Sequence, residues 1–253
     1  MVQRGKEGKE NDYGVVSDGH GFDDSPDCER ISGGVNSKGP HAMAIGRQAN
    51  MLQWGFYCAP DRMTDSARKV FLNALIYMRR FDGDKPLVAK SATGRGWMRQ
   101  YADALAKLTP EQRKEDGERS YAGYLRAKFP AELFGGDDEA AKLATWCNAN
   151  EERFYSPEKW KVSVDADLVD LGASNRKPEF FAAVIARLDK DANDPLAARL
   201  ITRYLPAGVA ASAAGVREFQ EHNRQRLFFS DLGGYRWFVD ARRRASAPGA
   251  PSK

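Results

Sequence analysis

Between Asp18 and Glu29 the sequence reads DGHGFDDSPDCE, and its carboxylates and imidazole are the residues best suited to chemistry. The hard oxygens of Asp23, Asp24 and Asp27 suit Ca²⁺ or Mg²⁺, and His20 beside them shifts the preference toward a transition metal. The same aspartates could instead act as general acid and base in hydrolysis of a carbohydrate or ester. That chemistry needs two carboxyl groups about 5 to 10 Å apart in a cleft. Asp18 and Glu29 have the spacing of the first and last ligands of a calcium-binding loop. Inside the loop the template fails, because Asp23 stands where it requires glycine and Phe22 replaces an oxygen ligand. A solvated acidic loop is the simpler expectation. Asp23, Asp24 and Asp27 are the catalytic candidates and His20, Asp23, Asp24 and Asp27 the metal candidates, with no other cofactor expected.

Other motifs exclude more than they assign. GGVNSKGP, residues 33–40, has the composition of a phosphate cradle, but Lys38 precedes its glycine and Pro40 follows. A nucleotide loop needs the reverse order at a helix N-terminus, so this stretch reads as a turn feeding a hairpin. No G-x-S-x-G is present. Cys28, Cys58 and Cys147 are too scattered for a zinc site or a disulfide framework, and free buried thiols are expected. Phe228, Phe229, Tyr235, Trp237 and Phe238 surround Gly233-Gly234; stacking on a sugar or base is one reading, and packing of a final hairpin the favoured one.

The net charge of +4 owes much to the tail ARRRASAPGAPSK, so a basic disordered segment is expected over residues 242–253 and no nucleic-acid surface. No run of about 18 apolar residues predicts a membrane span. As written, the chain is expected in the cytoplasm, with a secreted or periplasmic location the alternative for a longer native form.

The elements that must position these residues follow from periodicity. Residues 1–40 read as loops with at most one short strand. His41–Arg47 and Asn50–Tyr57 read as two largely buried antiparallel strands around Gln48-Ala49. From Thr64, a helix cap, Ala67, Val70, Phe71, Ala74, Leu75, Met78 and Phe81 share one helical face that Gly83 ends. After Pro86 helices dominate, and Pro178 and Asp194-Pro195 mark two helix starts. Two later stretches look alike: Phe129-Pro130 matches Leu205-Pro206, and Trp146, Asn150 and Phe154 match Phe219, Asn223 and Leu227. Trp160-Lys-Val-Ser-Val-Asp165 likewise matches Trp237-Phe-Val-Asp240. Each unit would be three helices and an extended segment, stacked on a shared core. Asn150 and Asn223 are expected to bond backbone groups of the following turns, near Ser156 and Ser230.

Ala44 to Arg47, Leu52 to Phe56 and Phe71 to Ala74 carry a resemblance. The segment AIGRQANMLQWGFYCAPDRMTDSARKVFLNALIYM resembles the closing strands and last helix of the class I glutamine-amidotransferase-like fold, in its trehalose-utilisation-type branch. GFDDSPDCERISGGVNSKGP, SNR at Ser174–Arg176 and RLFFSDLGGYRW at Arg226–Trp237 look like segments of planctomycete-type bacterial proteins, and ARLITRYLP with REFQEHNRQRL is similar to HEAT-like helical units. In the amidotransferase-like fold the nucleophile lies upstream of these strands. Too few residues precede them here for the βα units that fold requires, so the resemblance transfers no catalytic residue. It implies the C-terminal part of a longer protein, or a hairpin reused to cap a helical domain.

The expected fold class is α+β and mostly helical. A small sheet portion, residues 1–90, packs on a helical portion, 91–241. The expected function is a non-catalytic interaction or scaffold module for a protein or glycan partner; the alternative is a hydrolase using the acidic-loop carboxylates.

Overall fold

The computed structural model describes residues 17–36, 39–56, 61, 63–109, 111–112, 120–136, 138–158 and 161–243. They divide into two units, 1–89 and 90–253. The fold is α+β and mostly helical, with small antiparallel sheets.

In the first unit, β3 (Gly39–Gln48) is the central strand. β2 (Cys28–Asn36) pairs along one edge. β1 (Ser17–Asp18) and β4 (Met51–Trp54) share the other, at opposite ends of β3. Ala42, Met43, Ala44 and Ile45 are all buried, as befits a strand paired on both sides. β2 is longer than the short strand expected in a loop-rich segment. Three register shifts, around Ser32 and the Gly33–Asn36 end, break the alternation by which a strand is recognised. β4 departs from expectation in the other direction: Met51 is 52% exposed and its neighbours are only half-buried.

Helix α1 (Asp65–Met78) starts where Thr64 Oγ1 accepts from the Ala67 amide at 3.2 Å. A single 3-10 turn, Arg79–Phe81, follows, and Gly83 takes the left-handed φ of 84° that ends the segment. Ala67 is the buried anchor and Phe71 meets Trp54 edge-on at 5.0 Å. Val70 and Leu75, expected on the buried face, are instead 48% and 47% exposed.

The second unit consists of two stretches with one order of elements. The first holds α2 (Gly96–Ala106), α3 (Tyr121–Arg126), α4 (Glu139–Asn150), a hairpin of β5 (Phe154–Glu158) and β6 (Lys161–Val164), and the short α5 (Ala166–Leu171). The second holds α6 (Glu179–Lys190), α7 (Pro195–Tyr204), α8 (Ala213–Asn223) and a hairpin of β7 (Leu227–Ser230) and β8 (Arg236–Val239). α2 packs on α3 and α4 as α6 packs on α7 and α8. Short polar side chains cap several starts: Ser120 Oγ receives the Gly123 amide at 3.0 Å, Asp194 Oδ1 the Ala197 amide at 2.8 Å, and Ser212 Oγ the Gly215 amide at 3.1 Å. Met98, Leu125, Leu143 and Phe154 from the first stretch and Phe181, Leu200, Val216 and Trp237 from the second belong to one continuous core. Burying each side chain of this size is worth about 1.5 to 3 kcal/mol. Tyr121 and Tyr124 of α3 are largely exposed.

Candidate functional site

The acidic loop uses its carboxylates on its own chain. Asp27 is fully buried: Oδ2 accepts from the Leu87 amide at 2.8 Å and from Gln48 Nε2 at 3.4 Å, while Oδ1 is buried without a partner. Its carbonyl accepts from the Ala49 amide at 3.0 Å, so Asp27 fastens the turn between β3 and β4 and the segment before Leu87. Asp23 lies 60% exposed, paired with Arg30 at 3.2 Å. His20 and Asp24 are half-buried. Among the described residues no three His, Cys, Asp or Glu side chains gather as a metal site. Glu29 accepts from the Tyr77 hydroxyl at 2.6 Å and from Arg47 Nε at 3.1 Å. The Tyr77 bond, helped by Arg47, holds its carboxyl below the usual range. Cys147 is buried, and burial pushes its thiol up to about 11, where it is a poor nucleophile. Cys28 is half-buried with its sulfur 3.2 Å from Ser25 Oγ, and Cys58 and Trp160 lie outside the described residues.

A denser constellation sits in the second unit. Asp165, 3% exposed, follows β6 and opens α5, where its Oδ1 accepts from the Asp167 amide at 3.0 Å. Its Oδ2 accepts from the Tyr204 hydroxyl at 2.5 Å and from Arg203 Nη1. Arg203 also pairs with Asp167 at 3.2 Å, and its guanidinium stands 5.2 Å from the centre of the Tyr155 ring. Burial, reinforced by the bond to Asp165, pushes the Tyr204 hydroxyl well above its ordinary range, so it remains a donor. Burial works against the Arg203 charge, but Asp165 outweighs it and raises its pKa.

Tyr155, Ser156 and Pro157 of β5, Arg203 and Tyr204 at the end of α7, and Gly234 and Tyr235 of the second hairpin turn line a cavity of about 370 Å³. Tyr235 is held at φ 56°, a left-handed conformation rare for an aromatic residue, next to Gly234 at φ 96°. Its hydroxyl donates to the Thr93 carbonyl at 2.9 Å, which fixes the ring against the strain.

The turn carrying Tyr235 is itself anchored. Arg95, only 5% exposed, forks onto Asp231 with bonds of 2.6 and 2.7 Å. Its remaining donors reach the Glu151 carbonyl at 2.7 Å and Asn175 Oδ1 at 3.2 Å. Asn175 Nδ2 donates to the Phe154 carbonyl at 2.8 Å, and the Asn175 carbonyl accepts from Trp237 Nε1 at 2.8 Å. Ser174 and Arg176 bond Glu152 at 2.6 and 2.7 Å. The SNR and DLGGYRW segments therefore meet each other and Arg95. The aromatic cluster of the second hairpin divides: Trp237 packs on Phe181 at 4.9 Å, and Phe228 stacks on Phe238 at 5.7 Å.

Asn150 and Asn223 are both bonded, but not to the turns expected. Each donates back along its own helix, Asn150 to the Trp146 carbonyl at 2.9 Å and Asn223 to the Phe219 carbonyl at 2.8 Å. Back-bonding to the carbonyl four residues earlier satisfies each side-chain amide within its own last helical turn. Asn223 Oδ1 also accepts from Arg226 at 2.5 Å. Arg242 pairs with Asp240 at 2.9 Å, so the start of the basic tail is held; residues 244–253 lie outside the described residues.

Arg95, Asp165, Arg203 and Tyr204 were not singled out from sequence. Asp165 alone left a trace there, because an aspartate ends both matched extended segments, at 165 and at 240. Comparisons with protein-family models, with curated proteins and with solved structures each find no match to this chain.

Proposed function

We propose that the second unit is a non-catalytic recognition module that seats a ring-shaped group of a glycan or protein partner in the tyrosine-lined cavity. The observation that carries this reading is the convergence of Tyr155, Tyr204 and Tyr235 on about 370 Å³. That volume is at the small end for a ligand site and suits one sugar ring, proline or aromatic side chain. Aromatic walls offer such a group contact area at little entropy cost, and the hydroxyls of Tyr204 and Tyr235, held by Asp165 and the Thr93 carbonyl, keep two of those walls in place. Among the described residues the one charged residue lining the cavity, Arg203, is held by Asp165 and Asp167. What remains for a ligand is stacking and hydrogen bonding, not proton transfer.

The hydrolase alternative would need two carboxylates facing one cleft. Asp27 sealed against Leu87 and Asp23 paired with Arg30 in solvent weigh for the binding reading. The test is titration of ¹⁵N-labelled full-length chain with small saccharides and with proline- and tyrosine-containing peptides. Shifts clustered at Tyr155, Gly234 and Tyr235 and abolished by Tyr155→Ala are expected. Turnover of glycoside or ester substrates that disappears on Asp23→Asn or Asp24→Asn would overturn the reading.

A further inference from the structure

Most polar groups around the tyrosine-lined cavity are already committed to the protein. The Tyr204 hydroxyl gives its proton to Asp165, the Tyr235 hydroxyl to the Thr93 carbonyl, and the Ser156 hydroxyl to the carbonyls of its own turn. The amides of Gly234 and Tyr235 both donate to the Asp231 carbonyl. Arg203 is the exception. Its bonds to Asp165 and Asp167 all leave from Nη1. Nε and Nη2, the parallel pair on another edge of the guanidinium, have no partner among the described residues, and neither is sealed from solvent. The guanidinium that carries them stands 5.2 Å from the centre of the Tyr155 ring and 6.0 Å from that of Tyr204, two walls of the cavity. The Tyr155 hydroxyl is likewise open.

We infer that Arg203 sets the specificity of this cavity, its Nε and Nη2 donating to two adjacent hydroxyl oxygens of a neutral sugar ring stacked on the tyrosine walls. The inference rests on the binding reading above and narrows its ring to a sugar. A proline or phenyl ring has no oxygen on its rim, so seating one would cover both N–H groups without partners. A site built to donate rejects a ligand that cannot accept. Neighbouring hydroxyls on a pyranose present paired oxygens to the guanidinium fork, while the C–H face of the same ring packs on the aromatic walls. A carboxylate would also fit the fork, but Asp165 and Asp167 already bear on this guanidinium, and a third carboxylate would meet two like charges. The neighbouring cations are turned elsewhere. Arg199 forks onto Asp167 at 2.6 and 3.1 Å, Arg236 Nη2 reaches the carbonyls of Thr202 and Leu205, and neither lines the cavity.

Calorimetric titration and ¹⁵N spectra of the full chain test this, with neutral methyl pyranosides of gluco, galacto and manno configuration, the matching uronides, and N-acetylproline amide as probes. At least one neutral pyranoside should bind, moving the Nε–Hε signal of Arg203 together with the amides of Tyr155, Gly234 and Tyr235. Single-deoxy versions of that sugar should bind about tenfold more weakly at an adjacent pair of positions and little differently elsewhere. Arg203→Lys keeps a charge opposite Asp165 but loses the fork, and should remove that distinction. The deoxy series leaves the protein unaltered, so it is read independently of any folding defect in the variant. N-acetylproline amide shifting the same amides while no pyranoside binds would overturn the inference and leave the binding reading standing. No response to any probe would overturn both. A uronide bound more than about tenfold tighter than its neutral counterpart, or an Arg203 signal unmoved by bound sugar, would also overturn the inference.

Discussion

The two hairpins of the second unit start from the same skeleton and are held differently. Before each, a helix-ending asparagine turns back on its own carbonyl, Asn150 on Trp146 and Asn223 on Phe219. After each, a buried aspartate donates its amide to the residue preceding the first strand, Asp165 to Arg153 at 3.0 Å and Asp240 to Arg226 at 2.8 Å. Each aspartate then accepts from the amide two residues on, at 3.0 Å in both cases. The turns diverge. The second is fixed at long range by Arg95 on Asp231 and by Tyr235 on Thr93. Among the described residues the first is closed by its own Ser156, whose Oγ lies 2.8 Å from the carbonyls of Glu158 and Lys161. Residues common to both hairpins build the scaffold. Residues without a counterpart at the other hairpin, Arg203 against Tyr155 and Tyr235 at the second turn, line the cavity.

The sharpest way to break this asymmetry is Arg95→Ala. It strands the Asp231 carboxylate and two carbonyl-side acceptors, and should lower unfolding free energy by about 3 to 5 kcal/mol in urea titration. Arg95→Lys should recover little, because one ammonium cannot reproduce the fork onto Asp231. A loss under 1 kcal/mol would mean the second turn is no better anchored than the first. Next in size, Asn223→Ala should cost about 1 to 3 kcal/mol, since it removes a buried amide together with its bonds to the Phe219 carbonyl and Arg226. Asn150→Ala should cost less, about 0.5 to 1.5 kcal/mol, because Asn150 is only half-buried and water can replace the lost donor. Equal losses at the two sites would mean that burial does not separate Asn223 from Asn150.

The smallest expected effect concerns acid. In the first hairpin's stretch Glu152 is bonded by Arg176, and despite partial burial its pKa falls from 4.5 to about 2. The corresponding position before the second hairpin is Gln225. A carboxyl whose folded pKa is depressed stabilises the fold above its unfolded value, and that contribution fades as pH drops through the folded value. Stability should therefore decline between about pH 4.5 and pH 2, and Glu152→Gln should flatten that decline in thermal melts. Gln225→Glu, lacking an Arg176 equivalent, should not create a second one.

Much of the scaffold was legible because it is local. Thr64, Pro178 and Asp194-Pro195 mark helix starts within a residue or so, and the apolar faces of α2, α4, α6, α7 and α8 show their period in the sequence. β2 was not, because Ser32, Gly33 and Gly34 supply neither the side chains nor the alternation of a strand. Its partner β3 imposes the extended form from outside. The candidate site was legible only in fragments. Arg95 to Asp231 spans 136 residues, and Arg203 to Asp165 spans 38, so neither leaves a spacing that a sequence pattern can register. The acidic loop drew notice by composition, yet Asp27 proved to be a backbone clamp. Local crowding of carboxylates says little about where the chain will direct them.

The fastening of the second turn also dictates an order of events during synthesis. The amides of Ser91 and Ala92 at the head of the second unit both donate to the carbonyl of Leu232, at 2.8 and 3.0 Å, and Thr93 receives Tyr235. A ribosome releases residues 91–95 long before it makes 231–235. The first helices must therefore wait, with Arg95 lacking its carboxylate partner, until Asp231 has emerged. Closure across such a separation is slow, and chains halted short of Asp231 should be open to protease at residues 90–95 whatever helix they have already formed.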